Sequence, residues 1–212
     1  MEAVICVFAK PPVAGAVKTR LGLAPEAAAR LAQAFLDDTL ASLAALPWAA
    51  VALASTAPVA AAVPVLLQGE GDLGARMETV LRAALSSAAA AIAIGADAPA
   101  LPARLLEAAR AALRDHDAVL GPADDGGFYL LALRRCPAGL LADLPWSAAD
   151  TGARTLSRLR ERGLRTAVLE PWFDVDRPED LARLRVLLQA GALDAPRTRA
   201  VLEGLPPGAG AR

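Results

Sequence analysis

Strand-like runs alternate with helical ones along this chain, and that alternation narrows the possible folds more than any other feature. Apolar runs of strand character occupy residues 4–9, 50–55, 63–68, 90–95, 118–121, 128–133 and 165–169. Apolar positions at helical spacing fill 25–46, 73–85, 102–113, 150–162 and 178–188. The punctuation agrees. Pro25, Pro102 and Pro178 suit first helical turns, Asp72 and Asp176 or Arg177 suit N-caps, and Gly163 and Gly191 suit stops. Such alternation calls for a mainly parallel sheet with helical crossovers. One link breaks the rule. Pro122-Ala-Asp-Asp-Gly-Gly127 is too short for a parallel crossover, so it predicts a hairpin or a strand leaving the sheet direction, and with it a mixed sheet. The expectation is one α/β domain over residues 1–203, its sheet flanked by helices, with a disordered tail over 204–212.

Composition removes several classes of function. Hydrophobic residues are 55% of the chain, which excludes disorder over most of its length. Lys+Arg 22 against Asp+Glu 23 leaves a net charge of −1, so no broad basic face exists for nucleic acid. A small anion held by a few local charges remains compatible. The apolar stretch over 44–67 is broken by Pro47, Pro58 and Pro64, which argues against a membrane span. The first residues lack the basic start of a signal peptide, and a cytoplasmic protein is expected. Cys6 in a strand and Cys136 in a loop make neither a disulfide framework nor a zinc signature.

In an open parallel sheet, ligands sit at the carboxyl ends of the strands. The polar residues of this chain fall there. The first strand leads into Lys10-Pro-Pro-Val-Ala-Gly-Ala-Val-Lys18-Thr-Arg20, which holds both lysines of a chain whose other basic residues are arginines. Lysine is a compact point charge suited to a phosphate oxygen. A basic, glycine-bearing loop after a first strand is a common nucleotide-phosphate site. It nominates Ala9, Lys10, Pro11, Gly15, Lys18, Thr19 and Arg20. As an exposed loop residue, Lys18 is expected to support binding and not stability.

Further strand ends deliver Gln68-Gly69-Glu-Gly-Asp72 with Gly74, then Gly95-Ala-Asp97, then Asp124-Asp125-Gly-Gly127, then Asp174-Val-Asp176. The turn at 68–74 either meets a nucleobase or phosphate or caps the following helix. Asp97 either ligates Mg²⁺ or Mn²⁺ or caps a helix, and Asp176 has the same two readings. Glu179 and Asp180 suit the helix dipole. Asp124 and Asp125 either form a turn or bind and deprotonate an acceptor. His116 reads as a surface loop residue, and no serine–histidine–acid spacing stands out.

Seven ordered motifs carry a resemblance. They are Phe8-Ala-Lys-Pro-Pro, Val17-Lys-Thr-Arg-Leu21, Gly71-Asp-Leu-Gly-Ala-Arg-Met77, Ile94-Gly-Ala-Asp-Ala-Pro, the run from Leu120 to Tyr129, Pro145-Trp-Ser147 and Asp174-Val-Asp-Arg-Pro-Glu-Asp-Leu181. Together they resemble the bacterial glycosyltransferase-like proteins of the DUF2064 family, in the nucleotide-diphospho-sugar transferase superfamily. The chain is also similar to guanylyltransferases for molybdenum cofactor and phospholactate. The resemblance implies the A-type glycosyltransferase fold, phosphates on Lys10, Lys18 and Arg20, a divalent metal on Asp97 and Asp176, and a nucleobase near 68–74. Two positions depart from the family pattern. Asp97-Ala98-Pro99-Ala100 lacks a second acid, and Pro145-Trp-Ser-Ala148 lacks a hydroxyl.

The reading that unites these residues is a metal-dependent transferase moving a sugar from a nucleotide-diphospho-sugar to a small acceptor. The metal would stabilise the departing nucleoside diphosphate, Asp125 would orient or deprotonate the acceptor, and in nucleotidyl transfer Lys18 and Arg20 would neutralise pyrophosphate. Nucleotidyl transfer to a small phosphorylated acceptor is the alternative. A non-catalytic nucleotide or nucleotide-sugar binding protein is the reading from another class.

Overall fold

The computed structural model describes residues 2–99 and 101–205. Ala100, and the expected tail from Pro206 onward, lie outside the described residues. The elements run β1 (Ala3–Ala9), α1 (Pro25–Ala44), β2 (Ala49–Ser55), β3 (Val65–Leu67), α2 (Leu73–Leu85), β4 (Ala90–Gly95), α3 (Ala103–Ala112), β5 (Ala118–Pro122), β6 (Phe128–Leu133), α4 (Thr151–Glu161), β7 (Thr166–Val168), α5 (Pro178–Gln189) and α6 (Pro196–Glu203). The expected mixed α/β sheet forms, in the order β3-β2-β1-β4-β6-β5-β7.

Differences from the sequence reading have local causes. β3 and β7 are edge strands and shorter than expected. Pro64 has no N–H for the ladder, so β3 starts at Val65, while the Pro64 carbonyl still accepts from Leu53 N at 2.9 Å. α1 stops at Ala44, because Pro47 biases Leu46 away from helix. α6 was not expected at all. Its start signal is Pro196 in the first turn alone, since the Ala195 N-cap offers no side-chain hydrogen bond.

Strand alternation sorts the core into two layers. Ile5 and Val7 of β1 join Leu36 and Leu43 of α1 and Leu105 of α3 on one face. Cys6, between them, joins Leu81 of α2 and Leu159 of α4 on the other. A third cluster packs Leu31 and Phe35 of α1 against Leu184 of α5 and Leu202 of α6, and Leu205 is buried there too. Each such side chain contributes roughly 1.5–3 kcal/mol when fully buried. Among the described residues, no helix is long and apolar enough to cross a membrane.

The topology decides where the loops meet. β1 pairs in parallel with both β2 and β4, so the winding reverses between β1 and β4 and leaves a crevice at their carboxyl ends. β6 runs antiparallel to both its neighbours. This sets β5 parallel to β4, and the turn at 123–127 lands on the same rim. β7 is parallel to β5 and delivers the segment before α5 to that rim as well.

Candidate active site

At the crevice, Phe8 of β1 pairs with Gly95 of β4, and the Ala96 N–H donates to the Phe8 carbonyl at 3.0 Å. Asp97 follows and folds its carboxylate back over Gly95. A Cβ at 95 would lie 2.1 Å from Asp97 Oδ1, so Gly95 makes room for that carboxylate. The Asp97 carbonyl accepts from Val175 N at 2.8 Å, which fastens the segment before α5 beside the end of β4.

The basic loop closes over this junction. Lys18 Nζ donates to the Val175 carbonyl and to Asp176 Oδ1, each at 2.8 Å. Its side chain is only 10% exposed, and Nζ stands 5.7 Å from the Phe35 ring centroid. Lys18 also holds φ +49°, a left-handed conformation that a non-glycine residue adopts at a cost. The expectation of an exposed lysine without structural weight is therefore corrected. Lys18 staples the loop to the other side of the crevice.

Beside this staple stands a carboxylate that the sequence reading left without a role of its own. Asp174 Oδ1 is buried and has no hydrogen-bond partner among the described residues. Burial pushes the Asp174 carboxyl up to about 8, helped by the charges of Asp97, Asp125 and Asp176 and opposed by Lys18. The signal for it was present as alternation. Phe173 and Val175 are buried apolar residues, so in extended chain Asp174 and Asp176 share the opposite side. Asp176 does not cap α5. Arg177 is the N-cap residue, and Asp180 Oδ2 accepts from Asp176 N at 3.1 Å and Arg177 N at 2.8 Å.

The hairpin turn separates its two acids. Asp125 is exposed, its Oδ1 accepts from Gly127 N at 2.8 Å, and its charge reaches Asp174. Asp124 turns to α5 instead, where Oδ2 accepts from Arg183 Nη1 at 2.7 Å. The turn is fixed by backbone packing. Gly126 has φ +89°, and a Cβ there would lie 1.9 Å from the Ala149 carbonyl oxygen.

The remaining candidates divide. Ala9 and Pro11 are half-buried at the base of the basic loop, while Lys10, Gly15 (φ +80°), Thr19 and Arg20 are exposed along it. Lys10 and Arg20 have no ion pair among the described residues. Three members of the expected base-binding turn have structural employment instead. Gln68 is buried, and its Nε2 donates to the Ala54 carbonyl at 2.9 Å. Asp72 caps α2 through Ala75 N at 2.8 Å. A Cβ on Gly74 would lie 2.2 Å from the Leu141 carbonyl oxygen, so helix packing requires that glycine. Gly69 is exposed with φ +77°. His116 Nδ1 lies 3.0 Å from the Ala112 carbonyl, away from the crevice. Burial pushes the Cys6 thiol up to about 12 and Cys136 to about 11, which removes thiolate chemistry at neutral pH.

The crevice thus gathers oxygen donors from three strand ends under one lysine. Among the described residues, no three His, Cys, Asp or Glu side chains already form a ligating set. The donor chemistry still fits a hard divalent cation, because Asp174 carries an unpartnered buried oxygen among three other carboxylates.

The family described as "Uncharacterized protein conserved in bacteria (DUF2064)" matches residues 26–148. A crystal structure from Desulfovibrio desulfuricans G20, provisionally described as a nucleotide-diphospho-sugar transferase, is 30% identical. It aligns over 96% of this chain and 95% of its own with a TM-score of 0.86. CMP:2-keto-3-deoxy-manno-octonic acid synthetase complexed with CTP aligns over 90% and 100%, at 16% identity and TM-score 0.59. Molybdopterin-guanine dinucleotide biosynthesis protein A from Archaeoglobus fulgidus aligns over 88% and 99%, at 13% identity and TM-score 0.53. The last two likenesses establish a shared fold. No curated protein matches the chain.

Proposed function

Because this chain belongs to the DUF2064 family, we propose that it is a transferase acting on a nucleotide-activated donor, with sugar transfer from a nucleotide-diphospho-sugar as the leading reaction. The observation that carries the reading is the unpartnered oxygen of Asp174 at the β1/β4 crevice, with Asp97, Asp125 and Asp176 around it and Lys18 above. The provisional description of the Desulfovibrio protein supports the same class.

Asp97 and Asp174 would hold Mg²⁺ or Mn²⁺, with Asp176 contributing from beneath Lys18. Such an ion supplies charge neutralisation for the diphosphate. The chain's own residues do the rest. The exposed cations Lys10 and Arg20 bind the phosphates, and Lys18 holds their loop against Asp176. In the leading reaction, the bond from the anomeric carbon to the diphosphate oxygen breaks. The nucleoside diphosphate leaves with that electron pair, and the acceptor hydroxyl forms the new bond. Asp125, exposed on the same rim, takes the hydroxyl proton. Asp124 is committed to Arg183 and has no part in this.

Thermal shift with a panel of nucleotides and nucleotide sugars, with and without Mn²⁺, tests binding, since a ligand of the native state raises apparent stability. Turnover is then followed by the phosphorus product. Nucleoside diphosphate marks sugar transfer, and pyrophosphate marks nucleotidyl transfer. Asp125→Asn should lower turnover by about 10²–10⁴-fold with donor affinity unchanged. Full activity in that variant removes Asp125 as base. Binding without turnover across acceptors assigns the chain to the non-catalytic class.

A further inference from the structure

We propose that a cavity on the opposite side of β1 from these carboxylates is a second small-molecule site, for an amphipathic anion with a short hydrocarbon or aryl body. The cavity has a volume of about 530 Å³ and lies between α1 and the crossover at residues 56–64. Its origin is in the sequence. Parallel crossovers usually take about a dozen residues or more and carry a helix that covers the sheet face. Here β2 reaches β3 through Thr56-Ala-Pro-Val-Ala-Ala-Ala-Val-Pro64, which forms no helix. The space beside α1 that a crossover helix would fill stays open.

The lining defines the ligand. Leu36, Leu40, Leu53, Val59 and Val63 give an apolar interior, and the volume lies within the range of ordinary ligand pockets. Polar groups gather at the rim, where Lys10, Gln33, Asp37 and Arg197 line the opening. Asp37 Oδ1 is engaged by Gln33 Nε2 at 2.8 Å. Arg197 Nη1 makes only a long contact of 3.4 Å to Asp38, and its side chain is 54% exposed. Lys10 has no ion pair among the described residues. The rim therefore carries two cations, Lys10 and Arg197, beside the Asp37 carboxylate, whose charge a neutral amide donor leaves in place, and an anionic head would sit at the two cations above an apolar floor. Ser55 is the hydroxyl of the lining, and its Oγ donates to the Ala57 carbonyl at 2.7 Å, so the site is one of binding. Ala9 and Lys10 belong to this wall and also begin the phosphate loop, so an occupant touches the root of that loop.

Calorimetric titration of the full chain with decanoate and with 8-anilinonaphthalene-1-sulfonate tests the site. The expected result is one molecule per chain, each competing with the other, and no competition from decanol at equal concentration. Ala41→Trp on α1 and Ala60→Trp on the crossover fill the cavity from opposite walls. Each should weaken decanoate at least about tenfold while the variant melts as the parent does, and Arg197→Met should weaken it several-fold. The second wall keeps the test decisive if one variant misfolds. No saturable binding, or binding unchanged in a folded Trp variant, overturns the proposal. Displacement of decanoate by GTP, CTP or UDP-glucose with Mn²⁺ that persists in Lys10→Met overturns it too, because the competition would then come from a shared cavity and not from the shared lysine.

Discussion

Asp38, on α1, and Asp174, ahead of α5, both carry carboxylate oxygens into the interior, and their surroundings differ in one respect. Asp38 is 3% exposed and fully employed. Its Oδ2 accepts from Thr198 N at 2.7 Å, and its Oδ1 accepts from Arg197 N at 3.2 Å. It caps α6 from another helix, supplying the acceptor that Ala195 lacks. Asp174 has a buried oxygen without a partner among the described residues, and like charges surround it. A buried carboxylate that is satisfied holds a fold together. One that is not satisfied costs stability in the ligand-free protein, and it fits a cation that arrives later. The pair therefore separates an acid that holds the fold together from one left free for the proposed cation.

The largest expected effect is at Asp38. Asp38→Ala leaves the Arg197 and Thr198 N–H groups without their acceptor and should cost about 3 kcal/mol in urea unfolding. Asp38→Asn, which keeps one acceptor oxygen, should cost less. Equal, small losses in both variants would break the structural half of the comparison.

Lys18→Ala comes next. It removes two bonds from a charged donor, so about 1.5 kcal/mol of stability should go with it, in addition to weaker nucleotide binding. An unchanged urea midpoint would return Lys18 to the role of an ordinary loop lysine.

Asp174→Asn should act in the opposite direction on the metal-free protein. The folded-state pKa of Asp174 is raised from 3.8 to about 8. Its stabilising proton is therefore fully present below pH 3.8, and that contribution is lost as pH rises through about 8. The Asn variant escapes this loss. It should gain about 1 kcal/mol, or about 2–4 °C in Tm, above pH 8, and nothing near pH 3.5. It should also lose any Mn²⁺-dependent shift. A variant less stable than the parent at pH 8 would place Asp174 with Asp38 as a structural acid.

The smallest effect sharpens the contrast within the hairpin. Arg183 and Asp124 are each about half exposed, with side chains at 50% and 48%. Asp124→Asn should therefore change stability by less than about 0.5 kcal/mol and leave turnover intact. A loss of turnover there would move the acceptor side from Asp125 to its neighbour.

Much of this was legible before any coordinate. Strand and helix periods, prolines at first turns and glycines at stops placed twelve of the elements within a few residues, because each is decided by neighbours a few positions away. The short Asp-Gly turn determined that β5 and β6 are antiparallel, and through that which rim receives Asp125. The sequence also brought the basic loop, Asp97 and the Asp174–Asp176 segment to strand ends. What it left open depended on partners far along the chain. α6 exists because Asp38, on α1, caps it. Gln68 and Gly74 are committed by Ala54 and Leu141, which no local pattern joins to them. Lys18 and Asp176 pair across most of the chain. Above all, the choice between Asp174 and Asp176 was a question of desolvation. Sequence gives a carboxylate its charge and its position on a strand end, but burial and surrounding charge belong to the packed molecule, and they alone decide whether that charge is satisfied or waits for a cation.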